Sequence, residues 1–260
     1  MKVALLVCLL LPAGLCAQRL KPETAQAFDC YVQGAEGRMD ARKALPEAES
    51  DKARTVEANG PNPHKLPGGQ LYDWIGAIFI PGATLERLIP MLQDYGHRAQ
   101  YFPETVASSK LLCLTGTNHF QYSMRLKEPA ILDVTSDVVW ERVDAQHWRC
   151  RSLSTHVAEV GKDHGYLRRL NSYWRFTESG KGVSVEAETI TLSDEFSAMT
   201  RMLGSALMGI NPEKSVKHSL ISMRESALKL GPEIPKLPVG LPACGEPVPR
   251  AVCATAPGSK

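Results

Sequence analysis

Apolar residues recur along this chain with two different periods, and the change of period divides it. Near the C-terminus Val216, Leu220, Met223, Ala227 and Leu230 follow one another at steps of four, three, four and three, the spacing that sets side chains on one face of a helix. Asn211 is placed to cap that helix, Pro212 takes a first-turn position where no amide hydrogen is needed, and Gly231 followed by Pro232 ends it. The pattern predicts a helix over residues 212–230, a rod of roughly 28 Å. Lys214, Lys217, His218, Glu225 and Lys229 lie mainly off its apolar face. Such a helix needs an apolar surface to lie on.

Upstream the period is two. Leu71 to Ile80 reads as a strand broken by Pro81-Gly82, and further strands are predicted over residues 106–114, 118–126, 131–143, 147–160, 166–177 and 183–192. Turn-forming groups separate them, among them Thr115-Gly116-Thr117, Gly161-Lys162-Asp163 and Ser179-Gly180-Lys181-Gly182. Strands joined by short turns make an antiparallel meander. A short helix capped by Thr84 carries the stripe Leu85, Leu88, Ile89 and Leu92, and a helical lead-in with Met199, Met202 and Met208 joins the last strand to residues 212–230. Ahead of the meander, Ala25, Phe28, Val32, Ala35 and Met39 mark a helix from Pro22 to about Leu45, with Thr24 as its cap; residues 47–69 read as loop or linker. Beyond Gly231 repeated prolines predict an extended tail. The expected fold is α+β: a curved antiparallel sheet of about seven strands wrapped on a long C-terminal helix. The organisation is a leader over 1–17, an N-terminal helix and linker over 18–70, a main domain over 71–230 and a Pro-rich tail over 231–260.

Composition changes this picture little. A hydrophobic share of 43% with 22% charged is ordinary for a globular chain, and a net charge of +2 without a Lys/Arg run argues against a nucleic-acid partner. The N-terminus adds more. Lys2, the apolar run Val3 to Leu15 and then Leu15-Cys16-Ala17 read as a secretory signal peptide cut near Ala17, so the expected location is exported, periplasmic or secreted. The run is short of the roughly 20 residues that span a bilayer, so no integral span is expected after cleavage.

Cys30, Cys113, Cys150, Cys244 and Cys253 follow the leader, an odd number that leaves at least one unpaired in a monomer. None has metal-ligand spacing, and no metal or cofactor is expected. Cys244 and Cys253 bracket a short Pro-rich loop and are the expected disulfide; Cys113 and Cys150 are expected to act as small buried apolar residues.

The order strand, short helix, antiparallel strands, long amphipathic helix resembles the START-like, or SRPBCC, superfamily of polyketide cyclase-like and lipid-transfer domains, which share a helix-grip fold. The resemblance covers about Leu71 to Leu230. It rests on that order, on Phe79-Ile80-Pro81-Gly82 with the capped helix after it, and on the run from Asp163-His164-Gly165 to Trp174-Arg175-Phe176. The same words resemble a group of exported bacterial proteins. The resemblance implies a hydrophobic or amphipathic ligand between sheet and terminal helix, and it implies no catalytic motif.

The side chains expected on such a ligand are Trp74, Tyr122, Trp140, Trp174 and Phe176 from the strands and Val216, Leu220 and Met223 from the helix; for each, ordinary core packing is the plainer role. Glu186 and Glu188 point the same way on the last strand, as solvated partners of Arg175 or Arg151 or, for Glu188, as an acid/base group at the cavity mouth. His156 is the other catalytic candidate, while Asp163 beside His164 has the chemistry of a turn. No GxSxG elbow, HExxH helix or phosphate-binding loop is present. The leading expectation is an exported binding protein for a hydrophobic small molecule or lipid. A cyclase/aromatase- or hydrolase-type enzyme using His156 and Glu188 is the alternative, and an envelope protein-interaction module using the N-terminal helix and tail is a third.

Overall fold

The computed structural model describes residues 20–43, 45, 50, 52–127, 130–195, 212–231 and 233–253. The expected signal peptide, the lead-in helix with Met199, Met202 and Met208, the cap Asn211 and the stop Pro232 lie outside the described residues. The elements are α1 (Pro22–Ala41), β1 (Arg54–Glu57), β2 (His64–Leu66), β3 (Gly69–Pro81), α2 (Leu85–Gln93), α3 (Arg98–Tyr101), β4 (Val106–Thr115), β5 (His119–Leu126), β6 (Leu132–Arg142), β7 (His147–Glu159), β8 (Arg169–Ser179), β9 (Gly182–Asp194) and α4 (Pro212–Leu228). No helix among the described residues is long and apolar enough to cross a membrane.

The strands form one nine-stranded antiparallel sheet in the order β1-β3-β9-β8-β7-β6-β5-β4, with β2 also paired to β3. Strands β4 to β9 are the expected meander. The first long strand, β3, closes against the last, β9, in a ladder running from Gly69↔Asp194 to Pro81↔Gly182. The fold is therefore α+β, a multi-stranded antiparallel sheet packed against a C-terminal helix in the helix-grip manner of START-like domains. Two differences from the sequence pattern stand out. Residues read as linker form β1 and β2, strands too short and too polar to show a period, which add to β3 by backbone pairing. The start of α2 is held by Glu178, which accepts the Leu85 amide at 2.8 Å, while the Thr84 side chain makes no cap.

Because directly paired residues in an antiparallel ladder project from the same side, the register assigns every strand two faces. One face carries Ile78, Val185, Phe176, Trp140 and Tyr122 into the larger core with α2 and α4, where Val216, Leu220 and Met223 are buried. The other carries Leu71, Ile190 and Leu192 into a second core with Phe28, Val32, Ala35 and Met39 of α1. The sheet is thus sandwiched, with its outer face covered by α1.

Helix α4 approaches β3 at Gly76, where a Cβ would lie 2.5 Å from Val216 Cγ1 and 2.6 Å from Leu220 Cδ1. Gly76→Ala is expected to cost about 1–3 kcal/mol by overpacking. Val216→Ala in the same chain should recover part of that loss in urea denaturation; simple addition of the two losses would show that the contact is not the cause.

The cysteines pair otherwise than expected. Cys30 of α1 bonds Cys253, and Cys113 of β4 bonds Cys244, while Cys150 is free and buried. The local Cys244–Cys253 bond and the free Cys113 are both corrected. The reason is the path of the tail, which leaves β4, where the Leu114 amide donates to Pro242 O at 3.0 Å, and crosses β6, where Asp137 Oδ2 accepts the Val248 amide at 2.9 Å. It ends on α1, where the Cys253 amide donates to Gln33 Oε1 at 2.9 Å. Its two cysteines are thereby carried to opposite ends of the structure.

Candidate functional site

The α4 face of the sheet is built from adjoining rows of side chains. Gly76, Ala187, Trp174, Cys150 and Trp140 stand in successive register across β3, β9, β8, β7 and β6, and Ile78, Val185, Phe176 and Trp148 form the row beside them. On the other side runs the row Trp74, Thr189, Ser172, Ser152 and Val138, with Thr191 and Leu170 beyond it. Aromatic rows thus give way to a field of short hydroxyl side chains.

The aromatic part is closely packed. Trp140 stacks on Phe176 with ring centroids 5.7 Å apart, and Trp174 stacks on Phe176 at 6.4 Å. The Trp140 indole N–H donates to Tyr95 Oη at 2.9 Å, and Tyr95 stacks on Tyr122 at 4.4 Å. The Arg98 guanidinium caps this group, 4.9 Å from the centroids of both Tyr95 and Phe102. Burial raises the Tyr95 phenol well above its usual range and pushes the Cys150 thiol up to about 12. Cys150 is therefore a neutral thiol among apolar rings and no nucleophile at neutral pH.

The hydroxyl part is less deeply buried. Ser152, Ser172, Trp174, Thr189 and Thr191 face α4 from the middle strands of the sheet, yet each keeps partial exposure. On the opposite face of the same strands Asn171, Glu186, Glu188 and Ile190 are buried. Trp74 stands opposite Thr189 in the same row, and its indole Nε1 is buried without a hydrogen-bond partner, as is Arg224 Nε on α4.

Of the residues singled out from sequence, Tyr122, Trp140, Phe176, Val216, Leu220 and Met223 meet in one buried cluster, with Trp74 and Trp174 partly exposed against it. The catalytic candidates do not converge. Glu188 lies on the α1 face, 2% exposed, with Oε2 2.5 Å from Arg42 Nη1. His156 is exposed near the end of β7. Glu188 is level with Arg151 through Tyr173, and His156 stands five positions further along β7, an offset of roughly 16 Å. Glu186 and Glu188 are buried rather than solvated; Glu186 does take the expected cross-strand Arg175. Asp163 accepts the Gly165 amide at 3.0 Å as a turn residue, and His164 rests on Glu159 at 3.0 Å.

The α1 face holds polar groups that the sequence reading missed. Asp73 is fully buried in β3, accepts Tyr31 Oη–H at 2.9 Å and lies 3.5 Å from Arg38 Nη2. Asp73 Oδ1 and Glu188 Oε1 are both buried with no donor, and the two carboxyls are neighbours. Burial, then the Glu188 charge, pushes Asp73 up to about 7; burial also raises Glu188 against the opposing pull of Arg42. The signal was available, since Asp73 is the one acid within the apolar run Leu71 to Pro81. His119 and Asp137, 2.7 Å apart and buried, form another missed pair beneath the tail.

No protein-family model matches the chain, and no curated protein matches it. Solved structures of similar shape include a STAR-related lipid transfer protein from Xanthomonas axonopodis, 15% identical, with a TM-score of 0.46 over 64% of this chain and 97% of that one. TTHA0849 from Thermus thermophilus is 19% identical, with a TM-score of 0.46 over 59% of this chain and 95% of that one. Human STARD10 is 12% identical, with a TM-score of 0.45 over 76% of this chain and 79% of that one.

Proposed function

We propose that the protein binds an apolar or amphipathic small molecule, lipids included, in a hollow between the sheet and α4, over the row Trp74, Thr189, Ser172 and Ser152. The observation that carries this reading is the partial exposure of Ser152, Ser172, Trp174 and Thr189 on the α4 side of the sheet's middle strands. An aromatic wall supplies contact area for a ligand's apolar body, and the unpaired Trp74 Nε1–H awaits an acceptor at its polar end. The rings also provide the assay. All four tryptophans, Trp74, Trp140, Trp148 and Trp174, belong to this side of the sheet, so an occupied hollow should shift the intrinsic emission. Titration with oleate is expected to give a saturable shift, and native mass spectrometry of protein purified without detergent should show a co-purifying ligand. Ser172→Phe, which fills the hollow, should weaken binding at least about tenfold. Equal binding by that variant, or no shift with any apolar probe, overturns the proposal.

The disulfides support a second part of this reading, that the protein works in an oxidising compartment outside the cytosol, as the expected signal peptide implies. Bonds separated by 223 and 131 residues suit a chain kept from cytosolic reductants. Trapping thiols in intact cells is expected to leave Cys30, Cys113, Cys244 and Cys253 unmodified. Their full alkylation would place the working protein in the cytosol.

A further inference from the structure

Arg98, at the start of α3, is held by rings rather than by an acid. Its guanidinium lies 4.9 Å from the centroids of Tyr95 and Phe102 and 5.9 Å from that of Tyr122. Those three rings are buried, whereas Arg98 itself is only half-buried. Stacking occupies the flat faces of a guanidinium and leaves the N–H groups around its edge free to donate. The Arg98 backbone amide donates to Ser109 Oγ at 3.0 Å, but among the described residues the guanidinium donates to no protein acceptor and has no carboxylate within ion-pair distance. Asp94, in the turn before α3, lies 2.8 Å from His97 Nδ1 and accepts the Tyr101 hydroxyl at 2.9 Å. The groups nearest the cation on the sheet side are neutral, since burial raises the Tyr95 phenol and the Cys150 thiol against the opposing pull of Arg98. Arg98 therefore brings an unpaired charge, with unused donors, to the α4 side of the sheet.

The rings connect it to the hydroxyl row. Tyr95 packs on Phe120 with centroids 5.1 Å apart, and Phe120 pairs with Val138. Phe120 thus extends to β5 the row that runs through Val138, Ser152, Ser172 and Thr189 to Trp74. From β3 to β5 that path measures roughly 24 Å at about 4.8 Å per strand spacing. Arg98 stands by one end and Trp74 at the other. We infer that the molecule bound on this face is an anionic single-chain amphiphile of the fatty-acid class, its oxyanion held by Arg98 and its chain laid along the row toward Trp74. This rests on the proposal that the α4 side binds an apolar or amphipathic molecule, and adds to it the charge and the orientation. The Trp74 end offers a single neutral N–H, and the row between carries hydroxyl or apolar side chains, so the ligand's charge belongs at Arg98. A second negative charge would find Asp94 near by, which sets a singly charged head group.

The test titrates the full disulfide-bonded protein with oleate and with oleyl alcohol, its uncharged counterpart of the same chain, and follows tryptophan emission. Arg98→Met is expected to lower the ratio of oleate to oleyl alcohol affinity at least about tenfold, the loss of a charge-assisted contact. In the wild-type protein with ¹⁵N-labelled arginine, oleate should shift the Arg98 Nε–H resonance and oleyl alcohol should leave it in place, a measurement that serves if Arg98→Met fails to fold. An unchanged ratio in Arg98→Met, an Arg98 resonance indifferent to oleate, or a ratio that falls in Arg224→Met instead would overturn the inference while leaving apolar binding intact. Binding of neither ligand by the wild-type protein would remove the proposed function, and this inference with it.

Discussion

Asp73→Asn is expected to make the protein more stable at pH 8 and to remove most of the fall in stability that the wild-type chain shows between about pH 5 and pH 8. The folded Asp73 carboxyl, raised to about 7 first by burial and then by Glu188, holds a proton that the unfolded chain gives up near the ordinary value of 3.8. Between those values the folded state binds more protons than the unfolded one, so stability declines as pH rises and levels off above about 7. A shift of this size corresponds to roughly 4 kcal/mol, most of it lost above pH 5. Asparagine is shaped like the protonated acid. Its carbonyl can accept the Tyr31 hydroxyl, and its amide can donate to Glu188 Oε1, which has no other donor.

Other groups near Asp73 do not reverse this expectation. The Arg38 contact that the variant weakens is 3.5 Å long, on a side chain 38% exposed, and is worth little. His64, which touches Tyr31 at 3.2 Å, has its pKa lowered by burial and adds a slope of opposite sign, common to both proteins. Asp133, Asp144 and Asp163, all lowered, are ionised in both states across this window. Urea denaturation at pH 5, 6, 7 and 8 gives the comparison. Parallel curves, or a less stable variant at pH 8, would show that the Asp73–Glu188 pair does not share a proton.

Removing the Cys30–Cys253 bond, by Ser at both positions, should cost about 2–4 kcal/mol, a typical figure for a native disulfide. The bond joins residues 223 apart and is the last attachment of the tail to α1. Its loss should also free residues 245–253 for proteolysis, since what then holds them is the Val248 amide on Asp137, the Arg151–Val248 bond, the residue-253 amide on Gln33 and the exposed Arg250–Asp40 pair. A melt followed at two wavelengths, with limited trypsin digestion and mass analysis of the fragments, reads both effects. A tail that resists cleavage while stability drops would mean that the bond staples α1 and leaves the tail to its other contacts.

The elements of the main domain were legible because they obey strong local rules. Val216, Leu220 and Met223 repeat at helical spacing and are buried together. Trp174 and Phe176 alternate with Tyr173 and Arg175, and the register puts them on opposite faces as the period of two requires. Turn residues between the strands made the meander readable, and the meander made the α4-side cluster readable. The error at Glu188 came from the same rule. Alternation places Glu186 and Glu188 together but does not say which face α4 covers, and a helix assigned to the N-terminal region by its own spacing turned out to occupy the other one.

The sequence by itself determined the two periods, the α+β order and the identity of the side chains that meet α4. These depend on spacing within a segment, which the backbone geometry of helix and strand converts directly into faces. Only the tertiary structure decided that α1 covers the sheet's outer face, that the tail carries Cys244 and Cys253 to separate partners, and that Asp73 meets Glu188. Those contacts join residues far apart along the chain. Local spacing carries no information about which distant segment arrives at a face, so the buried Asp73–Glu188 acid pair emerges only when the packing is complete.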